Sequence, residues 1–330
     1  MSQVRRALPT GFKNGPLVLG PGDDAALWRP RAGFDIALSC DLLVEGVHFD
    51  LATTRAWDLG AKAAAVNLSD LAAMGAQPRL FLVSVAMPRR RGLGAAWLAA
   101  FNAGLRAYMG AFGAVVAGGD LSASRQGLFI DVTVLGEVER GKALRRSAAR
   151  PGDVLFVSGS LGGASAGLEV LTSKALAARV APLLVHGLQN RHRLPVPKVL
   201  AGRWLLQERA VHACIDISDG LASEAWHLSR ESRVRLDIDP DAIPIAKGVA
   251  EVAKLLRRDP LAFAFNGGED YELLFTAPRG AEERILTKME HYTGCKPAAI
   301  GVVAAGKGVR IRRPGRFVAL ADGGYEHFRA

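Results

Sequence analysis

Six stretches of the chain set an aspartate beside glycine, serine or a second carboxylate. They are GPGDDAAL (20–27), SCDLLVEGVHF (39–49), AVNLSDLAAMGAQP (65–78), VAGGDLS (116–122), DISDGL (216–221) and NGGEDYELLF (266–275). Their carboxylates are Asp23, Asp24, Asp41, Asp70, Asp120, Asp216, Asp219, Glu269 and Asp270. Apolar runs that read as strands lead into three of them: FDIALSC before Asp41, FGAVVAG before Asp120 and VHACI before Asp216. A carboxylate at a strand end in a small-residue turn is a short, hard oxygen ligand. Such ligands suit Mg²⁺, which commonly arrives with nucleotide phosphate. Each motif alone also reads as a turn, because Asp bonds its own backbone and tolerates unusual angles, or as a helix N-cap. Six of them, with doubled acids and strands in front, favour the metal reading over an all-structural one.

The elements that must carry these residues read as follows. Strands are expected at 34–41, 80–87, 114–118 and 128–138, where apolar residues alternate or run together. Long amphipathic helices are expected at 55–76 and 92–113. The turn AARPGD (148–153) divides the chain into domains at 1–147 and 148–330. The second half opens on the strand DVLFVSGSLG and continues with helices near 162–175 and 198–209. The strand VHACIDIS comes next, then a helix starting near Ser218 or Asp219 and running to about Arg230. VRLDIDP, ELLFTAP, AAIGVV and GVRIRR read as further strands. Both halves are α/β.

The chain has 330 residues, 49% of them hydrophobic, and a net charge of +10. That suits about two domains with ordinary cores. No apolar run reaches the ~18–20 residues of a membrane span, and no apolar segment follows Arg5 and Arg6 as a signal peptide requires. Cys40, Cys214 and Cys295 are far apart without CxxC spacing, which points to a reducing, cytoplasmic compartment and no structural zinc. The basic clusters at 29–31, 89–91, 145–146 and 310–313 are dispersed and lack a nucleic-acid motif, so no nucleic-acid partner is expected. There is no GxxxxGK[ST] phosphate loop, and GSLGGASAG (159–167) does not match GxGxxG. HExxH and kinase HRD/DFG sets are missing too. If the chain handles ATP, it does so with aspartates and metal.

The ordered set GDDAA, EGVHF, VNLSDLAAMGAQP, GGD, RSAARPGD, DISDGL, GGEDYELLFT and GGYEHF resembles the thiamine-monophosphate kinase family, from about residue 20 to 328. GDDAA and GGD are shared with the wider aminoimidazole ribonucleotide synthetase-like superfamily; EGVHF, NLSDLAAMGA and GGEDYELLFT are particular to the kinases. The resemblance implies a two-domain α/β fold of that superfamily, with N-terminal sheets pairing across a homodimer. The first domain binds ATP and Mg²⁺ and dimerises, and the second completes the active site. It implies ATP-dependent phosphorylation of thiamine monophosphate to thiamine diphosphate, assisted by several Mg²⁺ ions.

Carried over residue by residue, Asp24, Asp41, Asp70, Asp120, Asp216 and Asp219 match metal ligands, with Asp23 a weaker candidate. Gly119, Asp120, Arg146 and Ser218 match ATP contacts. His48, Glu269 and Tyr325 match thiamine-phosphate contacts. Cys40 stands where the family usually has Thr or Ser, so a hydroxyl that could face the same ion as Asp41 is replaced. Leu121-Ser122 replaces commoner threonines, and the lead before GDDAA is short and Arg-rich. No general base is expected, because a phosphate nucleophile is already anionic near neutral pH. Two alternatives stand beside this reading: another ATP enzyme of the superfamily and a non-catalytic nucleotide-binding regulator.

Overall fold

The computed structural model describes residues 17–90 and 92–324, so Tyr325 lies outside the described residues. The chain divides into two compact units, Met1–Leu71 with Ala76–Ala143, and Ala72–Gly75 with Leu144–Ala330.

The first unit is built on a four-stranded sheet of order β3-β6-β4-β5. Strands β3 (Phe34–Val44) and β6 (Phe129–Glu139) pair antiparallel along their whole length, from Phe34↔Glu139 to Val44↔Phe129. Strand β4 (Gln77–Pro88) pairs antiparallel with β6 and parallel with β5 (Val115–Ser124). A short hairpin of β1 (Leu17–Leu19) and β2 (Leu27–Trp28) precedes the sheet and places Leu17 against Leu80 and Ala117.

Helices α1 (Ala56–Ala73), as far as Leu71, and α2 (Ala95–Ala111) belong to the same unit. They cross at two glycines. A Cβ on Gly60 would lie 2.0 Å from the Phe101 carbonyl oxygen, and one on Gly104 would lie 2.0 Å from that of Trp57. The backbones therefore touch, and the alanines of α1 (Ala61, Ala63, Ala64, Ala65) are wholly buried. Helix α1 stops at Ala73 because Gly75 takes the left-handed turn, φ 66°.

Two strands outrun their expected ends. The unbroken ladder to β6 carries β3 to Val44, and pairing with β4 carries β5 to Ser124. Asp41 and Asp120 therefore sit inside strands, not in the turns after them.

The second unit holds a seven-stranded sheet of order β13-β12-β9-β11-β7-β10-β8. Its central strands are β7 (Asp153–Val157), β10 (Glu272–Pro278) and β11 (Ala298–Ala304), with β8 (Ala213–Ile217) at one edge and β9 (Arg235–Ile238), β12 (Gly308–Arg313) and β13 (Arg316–Ala319) at the other. All neighbours run antiparallel except β12 with β9. DVLFV and ACIDI are buried at every position, which is why they read as continuous apolar runs rather than alternating ones. Phe156 and Phe275 stack across β7 and β10 at 5.2 Å.

The helices of this unit are α3 (Gly163–Thr172), α4 (Lys174–Ala177), α5 (Pro182–Arg193), α6 (Val199–Glu208), α7 (Leu221–Ser232), α8 (Val249–Leu256), α9 (Pro260–Asn266) and α10 (Glu282–Thr293). Helix α7 packs on the sheet through Leu221, Ala225 and Leu228, while α3, α5 and α8 form a second core around Ala166, Leu188 and Val252. Much of the basic charge is compensated locally. Asp237 takes both Arg235 and Arg310, and Glu137 takes both Arg31 and Arg79.

Candidate functional site

In the first unit, Asp23 and Asp24 are exposed in the β1–β2 turn, where the Asp24 amide donates to Asp23 Oδ1 at 2.9 Å. Successive side chains of β3 point to opposite faces, so Ser39 and Asp41 share one face and Cys40 the other. The Ser39 hydroxyl donates to Asp70 Oδ2 on α1. This brings β3 and Asp70 together, and it adds Ser39, an oxygen donor the sequence reading passed over, to the carboxylates. Cys40 is not brought to them. Its Sγ lies 3.0 Å from Asp131 Oδ2, and that hydrogen bond to Asp131 is the main cause holding the thiol pKa above its usual value. Asp131 pairs with Leu42 on one side and Ser84 on the other, and Ser84 pairs with Asp120. By register, Asp120 thus falls in the row of Asp131, and the residue in Asp41's row is Gly119. Glycine is required there, since a Cβ would lie 2.0 Å from the Val83 carbonyl oxygen.

The EGVHF stretch forms one turn. Glu45 accepts the Leu128 amide at 2.8 Å and pairs with Arg90, Gly46 sits at φ 83°, and Phe49 is buried. The Val44 amide donates to His48 Nδ1 at 3.0 Å. That bond fixes the orientation of the His48 ring within the turn. Lys62, buried on α1, donates to the His48 carbonyl at 3.1 Å and fixes the turn from below.

In the second unit, Asp216 is buried near the end of β8, and Ser218 and Asp219 occupy the turn into α7. Gly220 at φ 108° ends that turn against the Phe265 carbonyl, which a Cβ would meet at 2.6 Å. Glu224, in the first turn of α7, reaches back to accept the Asp219 amide at 3.3 Å and the Ser218 hydroxyl at 3.4 Å. Burial, and then the charge of Asp216, push the Glu224 pKa up to about 8. The sequence reading missed Glu224; an acid in the first helical turn after Ser-Asp-Gly was the signal available. Arg146 is exposed, and its carbonyl accepts the Ser232 hydroxyl at 2.6 Å.

The GGEDYE loop runs beside this turn. The Glu269 amide donates to the Ser218 carbonyl at 2.7 Å and the Tyr271 amide to that of Ile217 at 2.9 Å. Both residues hold the left-handed conformation, φ 70° and 49°, which only a well-braced loop sustains. The bracing is visible. Buried Asp270 accepts the Gly162 amide at 2.6 Å and the Ala164 amide at 3.1 Å, at the start of α3. Buried Glu272 accepts the Ser158 hydroxyl at 2.5 Å and pairs with Lys198 at 3.1 Å. Burial pushes the Asp270 pKa up to about 6.

Among the described residues, no three His, Cys, Asp or Glu side chains converge to hold an ion by themselves. The available donors are nonetheless hard oxygens, from carboxylates and Ser39. That suits Mg²⁺, which keeps several waters and takes one or two carboxylates plus substrate phosphate rather than a closed protein cage.

Residues 22–138 match the family described as AIR synthase related protein, N-terminal domain, and residues 150–313 match AIR synthase related protein, C-terminal domain. The thiamine-monophosphate kinase of Salmonella typhimurium (strain LT2) is 36% identical over 313 residues, covering 94% of this chain and 91% of that protein. The chain belongs to the thiamine-monophosphate kinase family. A crystal structure of the family member from Stenotrophomonas maltophilia K279a superposes with a TM-score of 0.83 at 36% identity, covering 94% of each chain. The AaThiL protein complexed with AMPPCP and TMP superposes with a TM-score of 0.77 at 31% identity, covering 91% of this chain and 89% of that one. Together these place the chain in the family along nearly its whole length, with both AIR synthase-type domains present.

Proposed function

We propose that this protein transfers the γ-phosphoryl group of ATP to thiamine monophosphate, giving ADP and thiamine diphosphate. One observation carries the reading: the thiamine-monophosphate kinase of Salmonella typhimurium matches this chain at 36% identity over 94% of its length. The solved AaThiL complex, which contains AMPPCP and TMP, supports the choice of substrates.

The reaction forms a bond from a phosphate oxygen of thiamine monophosphate to the γ-phosphorus and breaks the bond to the β,γ-bridging oxygen, which leaves on ADP. The nucleophile is anionic near pH 7, since the second pKa of a phosphate monoester is ~6, and needs no base. Repulsion between two phosphates is the obstacle, so positioning and charge neutralisation govern the rate. Asp24, Asp41, Asp70, Asp120, Asp216 and Asp219 would hold Mg²⁺. Bound there, Mg²⁺ would neutralise phosphate charge. Gly119 lets the β5 backbone come close to β4, Arg146 offers an exposed fork to phosphate oxygens, and Ser218 offers a hydroxyl. His48 and Glu269 are proposed to hold thiamine monophosphate, with Tyr325.

The proposal extends to the assembly. The β3 face carrying Cys40 exposes Ile36, Leu38 and Leu42, with Leu38 at 66%. A contiguous apolar sheet face of this kind is a protein-contact surface, and pairing with a second copy would cover it.

The test is incubation with ATP, Mg²⁺ and thiamine monophosphate, read by mass spectrometry. Thiamine diphosphate should form stoichiometrically with ADP. ADP without thiamine diphosphate, or no turnover, would overturn the reading.

A further inference from the structure

We infer that His192 is a positioning residue that sets the carboxylate of Glu269 for thiamine monophosphate. The inference rests on the reading of Glu269 as a substrate contact. His192 lies in the last turn of α5, and its Nδ1 is 3.0 Å from Glu269 Oε2. The two side chains differ in exposure: the imidazole is 9% accessible, the carboxylate 24%. The carboxylate therefore faces outward while the group that holds it is sunk in the protein. Nδ1 is buried without an aligned hydrogen bond, so the adjacent Glu269 charge is what compensates its burial.

The surroundings leave His192 little freedom. Leu184, Leu188 and His192 follow one another at helical spacing on a single stripe, and Leu188 is fully buried in the α3–α5–α8 core. Helix α3 meets that stripe at Gly167, where a Cβ would lie 2.1 Å from the Leu188 carbonyl and 3.2 Å from His192 Cβ. The preceding residue, Arg191, donates to the Ser160 carbonyl at 3.1 Å and to its hydroxyl at 2.8 Å. That loop in turn gives the Gly162 amide to Asp270. The end of α5, the 158–162 loop and the GGEDYE loop are thus stitched together on both sides of Glu269.

A glutamate side chain has three rotatable bonds, and freezing them in advance removes a cost from substrate binding. A carboxylate is repelled by phosphate, so Glu269 meets the other end of the substrate, with its cationic thiazolium and amino-pyrimidine. His192 then governs affinity for thiamine monophosphate and not for ATP.

Steady-state kinetics test this. His192→Phe keeps the ring volume and removes the nitrogen; it should raise KM for thiamine monophosphate about tenfold, the loss of one polar contact to a carboxylate, with kcat and KM for ATP little changed. His192→Gln, which retains a side-chain N–H, should recover most of the loss. In a Glu269→Ala background, His192→Phe should add nothing. A normal KM in His192→Phe beside a raised KM in Glu269→Ala overturns the role of His192 alone. A normal KM in Glu269→Ala overturns the reading of Glu269 and the inference with it. An undiminished His192→Phe effect in the double variant overturns the route through Glu269. Should the Phe variant fail to fold, the shorter polar His192→Asn should raise KM in the same way, and a normal value there overturns the inference.

Discussion

Asp41 and Cys40 are neighbours in the chain, and the pleat of β3 sends them to opposite faces, Asp41 to the side where Ser39 meets Asp70 and Cys40 to Asp131. Cys40→Thr should accordingly leave the half-saturating Mg²⁺ concentration of turnover unchanged; a clear decrease would show that this side chain does reach the metal. Asp70→Asn should lower kcat by more than ~100-fold, in the range of other lost electrostatic groups. Its circular dichroism should stay native, because Asn can still accept the Ser39 hydroxyl. Near-native turnover would remove Asp70 from the ligand set.

Asp270 gives a pH signature. Its pKa is about 6 in the folded protein against an ordinary 3.8, so the folded state holds the proton more tightly than the unfolded chain. Its stabilising contribution is therefore complete below about pH 4 and lost as pH rises through about 6. Melting temperatures of the wild type should fall relative to Asp270→Asn across that window and track it in parallel above. A constant gap from pH 4 to 7 would contradict the assignment.

Among the elements, α6, α7 and α8 all end on an arginine at positive φ: Arg209 at 51°, Arg233 at 56° and Arg257 at 54°. Glycine is the usual residue there because a Cβ is strained in that conformation. Arg257 is exposed, so Arg257→Gly should stabilise the protein by about 1 kcal/mol in urea melts; destabilisation would mean its side chain makes a contact worth more than the strain. The same arginines deprive these helices of the glycine stop signal; α6, expected near 198–209, is nonetheless found at Val199–Glu208, whereas α8 was not read from sequence. Helix α5 was overlooked for another reason. PLLVHGLQNRHR is largely polar, and only Pro182 at its first turn and the Leu184–Leu188–His192 spacing marked it. The buried strands β7 and β8 were legible because water is excluded from both faces, leaving no polar alternation to misread. The EGVHF motif was legible as a motif but not as a structure: that Glu45 accepts the Leu128 amide and that Lys62 holds the His48 carbonyl depends on residues elsewhere in the chain.

For the molecule as a whole, the acidic motifs named the family, while which carboxylates share a face was set by strand register, which no local pattern encodes. Asp120 and Asp41 illustrate this: each follows an apolar run, yet the ladders place them in different rows. If the β3 face is covered by a second copy, sedimentation should show a dimer and Leu38→Arg should yield monomer; a wild-type monomer at tens of micromolar would exclude that pairing. The crossing of α1 and α2 has a consequence for how the sequence can change. Most crowded core positions can be relieved by shrinking a neighbour, but Gly60 and Gly104 abut carbonyl oxygens that every amino acid carries. A suppressor screen begun from Gly60→Ala should therefore return true revertants and no side-chain substitution at the crossing, so that these two sites evolve as if each were alone.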